Sequence, residues 1–438
     1  MRVITFTTAH AVILLIFLAG AAAGPAMGAD WPEFRGPRGD GHVTAPSDRT
    51  PVGLPLKWSE TENVRWKIEI PHLGWSTPVT LGGQVWLTTA TPKGNDFFAI
   101  CVDAANGKIL LNERIFHCDS PEPLGNNVNS YGSPSPAIEP GRVYINFGSY
   151  GTACLDTATF KVLWKREDLP CRHFRGPGSS VILFEDLLIL TMDGVDQQYL
   201  VALDKKTGRT VWKTERTTDY KDLDSQGKPQ REGDFRKAFS TPLIVDHDGR
   251  KLMISAGSRA VYGYDPKTGT ELWKFAHRDY STAGRPVYWK GIAYAMTGQG
   301  QAGLLAIRAN GAGDVTKTHL AWKLDNLVPK TPSPLIIDDL LYMANDKGTV
   351  TCMEAATGEQ VWRGRVGGNL VASPIYADGR IYLFNVRGKG TVLKAGRAFE
   401  VLATNALEGA FMSSPAVAGK ALILRTKTHL YRIEEAAN

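Results

Sequence analysis

Short apolar runs separated by turn residues recur along almost the whole chain, and hardly any window has a helical periodicity. The runs 143–147 (VYINF) and 381–384 (IYLF), for example, are each followed a few residues later by a second run, 152–155 (TACL) and 391–393 (TVL). Pairs of short apolar runs joined by turn residues are typical of antiparallel strands. The pattern therefore predicts an all-β fold.

A nine-residue pattern recurs after these pairs of runs. It has an acidic residue, two variable residues, Thr-Gly, three further residues and Trp, and it is complete at 204–212 (DKKTGRTVW), 265–273 (DPKTGTELW) and 354–362 (EAATGEQVW). Degraded copies occupy 103–111 (DAANGKILL) and 156–164 (DTATFKVLW). Self-similarity at a period of roughly 40 to 60 residues, in a chain of short strands, indicates a radial array of small sheets.

A second marker, a small residue followed by Pro and an apolar strand, appears about once per copy. Six copies have this form, beginning at Thr77, Ser135, Thr241, Ser333, Ser373 and Ser414. Two variants, Ser179 followed by Ser180 and Arg285 followed by Pro286, complete a set of eight. With two strands between each start and the acidic residue, and one more that carries the Trp, each unit has the four strands of a propeller blade. We therefore predict an eight-bladed β-propeller of four-stranded antiparallel blades.

The last unit has room for only three strands before the chain ends. We expect its fourth strand to come from residues 63–70 (NVRWKIEI), which would close the ring and remove exposed strand edges. The propeller is then 63–438, and the Gly- and Pro-rich residues 29–62 form an irregular lead-in that crosses one face. Tryptophans of the repeat are predicted to pack between neighbouring blades as large apolar wedges: Trp66, Trp164, Trp212, Trp273, Trp322 and Trp362.

Residues 1–28 have the pattern of an export signal. Arg2 precedes an apolar stretch at 11–23 (AVILLIFLAGAAA), and the small residues Ala26 and Gly28 precede a cleavage point. The apolar stretch is shorter than the roughly 20 residues that span a bilayer. We predict an exported, periplasmic or extracellular protein, monomeric and without a transmembrane segment in the mature chain; an uncleaved anchor is the alternative.

Charge and cysteine content restrict the function further. The formal net charge is +6 and the Lys and Arg residues are scattered, so a nucleic-acid partner is not expected. Of five cysteines, three fall two residues before the acidic residue of a repeat, a small buried slot. Cys118 and Cys171 instead lie in irregular connecting stretches. A disulfide between them and two free thiols are both compatible with the sequence.

The repeat resembles the tryptophan-docking motif of the quinoprotein (PQQ) dehydrogenase-like eight-bladed propellers over residues 63–434. The segments 30–37 (DWPEFRGP) and 75–78 (WSTP) resemble exported bacterial PQQ-like repeat proteins of the BamB-like and polyvinyl-alcohol-dehydrogenase-like groups. In the dehydrogenases, the resemblance implies, the quinone lies on the propeller axis between a Trp and a ring of two adjacent cysteines, beside a calcium ion held by Glu, Asn and Asp.

This sequence departs from that pattern. It has no Cys-Cys pair and no CxxCH haem motif, and no acidic cluster offers the six to eight oxygens that calcium takes. The nearest acidic pair, Asp193 and Asp196, is predicted to belong to a β-turn, with a metal site as the alternative. We therefore expect a binding scaffold with no cofactor and no metal. A PQQ- and calcium-dependent alcohol or sugar dehydrogenase is the alternative function.

Two long connections, 117–131 and 214–239, open on one face of the predicted propeller, and long loops on a rigid scaffold often carry binding sites. Arg285 replaces a small hydroxyl residue near the axis and needs an anionic partner. That partner is either a ligand carboxylate or phosphate, or an acidic residue of a neighbouring blade. Residues just before the blade starts add aromatic and cationic groups: Trp75, Tyr131, His173, Arg175, Arg236, Lys237 and Lys330. They favour a protein segment, an anionic ligand or a carbohydrate; ordinary solvated loop residues are the alternative.

Overall fold

The computed structural model describes residues 29–45, 47–48, 50–125 and 128–436, and the predicted signal peptide lies outside the described residues. Over these ranges 33 strands form eight sheets. Contacts between inner strands and hydrogen bonds between blade starts join successive blades, so the sheets surround a common axis. The predicted all-β, eight-bladed propeller is confirmed.

Each blade is an antiparallel meander whose first strand is innermost. The strands of blades 1 to 4 are Val79–Leu81, Gln84–Ala90, Asp96–Asp103 and Ile109–His117; Ala137–Glu139, Arg142–Asn146, Thr152–Asp156 and Val162–Arg166; Ile182–Phe184, Leu187–Asp193, Gln198–Asp204 and Thr210–Glu215; and Leu243–His247, Arg250–Ala256, Ala260–Tyr264 and Glu271–Ala276. The strands of blades 5 to 7 are Val287–Trp289, Ile292–Met296, Leu304–Arg308 and Leu320–Leu324; Leu335–Ile337, Leu340–Ala344, Thr349–Glu354 and Gln360–Arg365; and Ile375–Ala377, Arg380–Phe384, Lys389–Lys394 and Val401–Ala406.

Blade 8 is closed by the N-terminal strand, as predicted. Its three C-terminal strands are Ala416–Ala418, Ala421–Arg425 and His429–Ile433, and Val64–Glu69 pairs antiparallel with the last of them. The two ends of the propeller are therefore held in one sheet. This pairing removes an open edge from both.

Blade 4 has a fifth strand that the repeat does not predict. Gly313–Asp314, from the connection between the last two strands of blade 5, pairs in parallel with the outer strand of blade 4 at Trp273 and Lys274. It covers part of that outer edge. The segment Gln230–Arg236 forms short 3-10 turns that are interrupted by non-helical backbone at residues 231–233. No helix in the described ranges is long and apolar enough to cross a membrane.

The repeated acidic residue and Thr-Gly form the turn between the third and fourth strands. The Asp204 carboxylate accepts hydrogen bonds from the backbone amides of Lys206 and Thr207 at 3.0 and 2.8 Å. Gly208 has φ 72°, a conformation that favours glycine. The Trp164 ring of the preceding blade lies so close that a Cβ on Gly208 would be 2.7 Å from it. Trp164 Nε1 also donates to the Lys205 carbonyl at 3.0 Å.

Most of the other predicted wedge tryptophans contact the turn of the next blade in a similar way. Trp66 and Trp322 lie over Gly107 and Gly358 and donate to backbone carbonyls at 2.9 and 3.0 Å. Trp362 donates to the Gly396 carbonyl at 2.9 Å. The rings of Trp212 and Trp273 are buried, but their Nε1 atoms have no hydrogen-bond partner within the described residues.

The lead-in follows the propeller closely through its described residues. Trp31 is fully buried and exchanges backbone hydrogen bonds with Thr80 of the inner strand of blade 1 at 3.1 and 2.9 Å. Further on, the Asp378 carboxylate of blade 7 accepts hydrogen bonds from three consecutive amides of residues 52–54. Trp58 then packs beside Tyr382 and Phe384, and the chain enters blade 8.

Candidate functional site

A ring of hydrogen bonds around the axis connects the blade starts. In each link the backbone amide of one start donates to the side-chain hydroxyl of the next, at 2.9 to 3.0 Å. Six links occur in the described part of the chain: Thr77 to Ser135, Ser135 to Ser180, Ser180 to Thr241, Arg285 to Ser333, Ser333 to Ser373 and Ser373 to Ser414. The third blade uses Ser180; the sequence alignment of the starts assigned Ser179, one residue too early.

Arg285 interrupts this ring because it has no hydroxyl to offer the Thr241 amide. Its Nε donates to the Pro242 carbonyl at 2.9 Å, and its Nη1 donates to Glu33 Oε1 at 2.9 Å. The side chain is only 2% exposed. Of the two kinds of partner considered for Arg285, a ligand anion or an acidic residue of the protein, the structure supplies the second, because the Glu33 carboxylate of the lead-in pairs with it. The expected location of that acidic residue, a neighbouring blade, is not the observed one.

The lead-in residues next to Glu33 fill the axis from the face opposite the long loops. The Phe34 carbonyl accepts a hydrogen bond from Arg285 at 2.5 Å. Arg35 is 1% exposed and donates to the carbonyls of Pro334 and Asp40 at 2.7 and 2.6 Å, and burial lowers its pKa to about 9. We name residues 33–35 the axial plug. The axial channel is consequently closed at this end.

Above the plug lies a chamber of about 510 Å³ that opens on the face with the long loops. Its lower end is formed by Phe34 and by six hydroxyls of the ring, namely Thr77, Ser135, Ser180, Thr241, Ser373 and Ser414. Apart from Thr77, each of these hydroxyl oxygens accepts a hydrogen bond from the backbone amide of the preceding blade start. Side chains from the connections before every blade build the wall.

Three of the predicted mouth residues, Trp75, Arg175 and Lys330, line this chamber. Arg175 forms an ion pair with Asp234, with Nε 3.2 Å from Oδ1. Lys330 Nζ donates to the neutral Gln299 Oε1 at 3.1 Å. The structure thus brings together an aromatic ring and two cations that lie far apart in the sequence.

Tyr131 and Arg236 do not line the chamber. Tyr131 is 5% exposed, packs against Phe97 and donates to the Glu122 carbonyl at 2.7 Å. Arg236 forms a bidentate ion pair with the buried Asp222, with contacts of 2.8 and 2.9 Å. Both side chains hold the long connections in place, so their predicted role in binding is not supported by their positions.

His173 and Lys237 are buried beneath the loops. His173 Nε2 accepts the Ser149 amide at 2.9 Å. Nδ1 lies 3.2 Å from Lys237 Nζ and 3.9 Å from Cys171 Sγ. Burial lowers the pKa of both His173 and Lys237. These groups stabilise the loop bases and are inaccessible to a ligand in the chamber.

The disulfide considered between Cys118 and Cys171 is not formed: both cysteines are free thiols. Cys171 belongs to the apolar cluster between blades 2 and 3, whereas Cys118 packs at the edge of the cluster between blades 1 and 2. Burial raises the pKa of the Cys171 thiol to about 12. The other three cysteines are also buried free thiols.

Two features of this region were missed by the sequence reasoning. Asp193 ends the second strand of blade 3 at the predicted turn, and it also forms a fully buried bidentate ion pair with Arg216 at 3.0 and 2.8 Å. Arg231 lines the chamber, although only the length of the 214–239 connection pointed to this segment. Arg231, Glu232 and Gly233 all have positive φ, of 49°, 57° and 85°. This local bend directs Arg231 toward Tyr280, whose hydroxyl lies 3.3 Å from Nη1.

The acidic groups of the chamber do not form a metal site. Among its described lining residues Asp234 is the sole carboxylate, and it is paired with Arg175. No group of three or more His, Cys, Asp or Glu side chains converges anywhere in the described ranges. This donor set does not fit a calcium-bound quinone, which needs several carboxylate and amide oxygens around the ion.

The geometry agrees with comparisons of the chain with known proteins. The family model described as "Outer membrane protein assembly factor BamB" matches residues 57–262 and 311–398. The outer membrane protein assembly factor BamB of Burkholderia pseudomallei is 33% identical over 94 residues, which are 22% of this chain and 24% of that protein. The matched part thus spans about a quarter of that relative's length.

Solved structures share the architecture at low identity. BamB from Moraxella catarrhalis superposes with a TM-score of 0.58 at 14% identity, covering 86% of this chain and 98% of that one. A europium-containing methanol dehydrogenase superposes with a TM-score of 0.64 at 11% identity, covering 88% and 91%. Identities this low carry the fold and no function. The family model matches well over half of this chain, and the chain therefore belongs to the BamB family of PQQ-like repeat proteins.

Proposed function

We propose that the protein is a non-catalytic binding scaffold that holds a ligand or a protein partner at its loop-bearing face. The observation that carries this proposal is the axial chamber, which is closed at one end by the chain's own lead-in and open between the long loops. A concave site with a mixture of aromatic, cationic and hydroxyl groups suits binding. The outer membrane assembly role in the relatives' names is consistent with a scaffold.

The alternative, a quinoprotein dehydrogenase, is favoured by the fold alone. The chamber residues do not fit its cofactor, because the ring of two adjacent cysteines is missing from the sequence and Asp234 is the sole lining carboxylate among the described residues. The two functions are separated by mixing the purified chain with PQQ and calcium and following quinone absorbance and dye reduction with alcohols and sugars. We expect neither stoichiometric quinone binding nor turnover. Turnover with bound quinone would overturn the scaffold proposal.

The binding face is tested by placing a photo-crosslinking amino acid at one position per variant. Val128 is 61% exposed at the chamber, and Lys290 lies in a turn on the opposite face with its side chain 65% exposed. A scaffold that uses the loop-bearing face gives specific cross-linked products from position 128 and none from position 290. Equal products from both positions would contradict the assignment of the face.

Export and a monomeric state belong to the same proposal. The amino-terminal pattern of residues 1–28 supports export, and closure of every blade within one chain supports a monomer. Expression in a bacterial host followed by fractionation and amino-terminal sequencing tests the first point. We expect a mature protein that begins near Ala29; recovery of an unprocessed chain from the membrane fraction would favour the anchor. Light scattering of the mature protein tests the second.

A further inference from the structure

The wall of the chamber is divided into two halves of different chemistry. The blades follow one another around the axis in chain order, so residues that precede blades 3 to 6 face those that precede blades 7, 8, 1 and 2. The first half carries three cations, Arg175, Arg231 and Lys330. The second half carries apolar side chains, namely Val371, Met412, Trp75 and Val128.

Two of the three cations form no close ion pair in the described part of the chain, although the charges of Lys330 and the nearby Asp346 carboxylate interact. Lys330 Nζ contacts the neutral Gln299, and the nearby Asp346 carboxylate accepts the Lys330 backbone amide at 3.1 Å. Arg231 contacts the Tyr280 hydroxyl and lies over the Phe235 ring, 5.3 Å from its centroid. Asp234 offsets only Arg175. This half of the chamber therefore carries an excess of positive charge.

The hydroxyls at the bottom of the chamber add hydrogen-bond donors, which also favour an anionic ligand. The oxygens of Ser135, Ser180 and Thr241 already accept backbone amides, which leaves their O–H groups to donate. A group rich in acceptor oxygens satisfies such donors, whereas a cation would have only the one remaining lone pair of each hydroxyl. The polar part of the chamber thus favours an oxyanion.

We propose that the chamber binds a small amphipathic anion. Its carboxylate or similar oxyanion lies against Lys330 and Arg231, and its apolar body packs against Val371, Met412 and Trp75. A volume of about 510 Å³ falls within the range of roughly 300–1,000 Å³ common for small-molecule sites. This inference rests on the proposed scaffold function and adds the ligand's class and orientation.

The test compares three probes by isothermal titration calorimetry with the purified mature chain. Naphthalene-2-carboxylate has both the anion and the apolar body, 2-naphthylmethanol has the body alone, and acetate has the anion alone. We expect naphthalene-2-carboxylate to bind about tenfold or more tightly than either partial probe. Its affinity falls as salt is raised, since exposed charges are screened. The affinity for 2-naphthylmethanol stays nearly constant.

Variants in each half of the chamber wall separate the contribution of the probe's charge from that of its apolar body. Lys330→Gln and Arg231→Gln are expected to weaken naphthalene-2-carboxylate several-fold and to leave 2-naphthylmethanol unchanged, whereas Met412→Gln weakens both. Lys290→Gln makes the same side-chain change on the opposite face, where Lys290 pairs with Asp339 at 3.0 Å, and has no effect on either probe. Lys330, Arg231 and Lys290 are exposed, so thermal unfolding of the three Lys and Arg variants should match that of the parent chain.

Two results would overturn the inference. One is equal affinity for 2-naphthylmethanol and naphthalene-2-carboxylate; the other is an unchanged affinity in Lys330→Gln and Arg231→Gln. If an acidic, aromatic hexapeptide binds in the chamber and naphthalene-2-carboxylate does not, the ligand class is refuted while the scaffold function stands. Quinone-dependent turnover, in contrast, refutes the scaffold function itself.

Discussion

The buried ion pair between Glu33 and Arg285 predicts that removal of one charge will destabilise the propeller. Glu33→Gln keeps the shape of the side chain and its acceptor oxygen but leaves the Arg285 guanidinium, 2% exposed, without a counter-charge. Breaking a buried ion pair costs about 3–5 kcal/mol. Arg285 retains the carbonyls of Phe34 and Pro242 as partners, so we expect a loss at the lower end, about 3 kcal/mol.

A double-mutant cycle measured by urea unfolding isolates the pair. The second single variant is Arg285→Ser, which removes the cation and supplies the hydroxyl that the other blade starts offer to their neighbours. The double variant buries no unpaired charge and gains an acceptor for the Thr241 amide. We expect it to be more stable than Glu33→Gln alone, with a coupling energy of about 2 kcal/mol.

The pH dependence of the free energy of unfolding of Arg285→Ser is an independent test of the ion pair. Burial raises the pKa of Glu33, and Arg285 opposes that rise. Without the cation the folded state holds a proton on Glu33 at pH values where the unfolded chain has lost it. The free energy of unfolding of Arg285→Ser therefore rises as the pH falls from neutrality toward the ordinary pKa of a glutamate. Additive single-variant effects, or an opposite pH slope relative to the parent, would refute the reasoning.

Three further predictions concern the repeat and the loop bases. Gly208→Ala should destabilise more than Gly141→Ala by about 1–3 kcal/mol, because both glycines have positive φ but only at Gly208 does a Cβ meet a tryptophan ring; equal losses in urea unfolding would contradict docking. Ser135→Ala leaves the amide of the preceding blade start without an acceptor and should cost about 1–3 kcal/mol; an unchanged unfolding midpoint would argue against the ring. Burial lowers the pKa of His173, so protonation of the unfolded chain below about pH 6.5 lowers stability by up to about 1.4 kcal/mol per pH unit; His173→Gln should flatten that slope, and parallel curves would disprove it.

The local parts of the fold could be predicted from the sequence. The turn at Asp204, Thr207 and Gly208 is specified by residues only four apart, and its chemistry does not depend on the rest of the chain. Closure of blade 8 followed from counting strands, because three strands at one end and an unassigned strand at the other complete one sheet. The extra strand at Gly313–Asp314 carries no periodic signal, so the repeat did not predict it.

The site was less predictable, because its residues are set by contacts between distant segments. Glu33 and Arg285 are 252 residues apart, and the lead-in has no hydrophobic period that would place it in the axis. Arg236 and Lys237 are neighbours in the sequence, yet Arg236 pairs with Asp222 and Lys237 points into the buried cluster with His173. The composition of a loop identifies candidate binding residues, but it does not show which way their side chains point.

Arg285 shows how a departure from a repeat is to be interpreted. Seven blade starts carry a hydroxyl that bonds to the neighbouring blade or lines the axis, and the eighth carries a cation that bonds to the chain's own lead-in. The departure therefore marks a partner, but that partner is intramolecular. With the lead-in in this position, the described residues close the axis on that side, and we propose that a ligand enters from the loop-bearing face. We propose that Lys330 and Arg231 decide specificity, since both line the chamber above the plug and lie outside the repeat altogether.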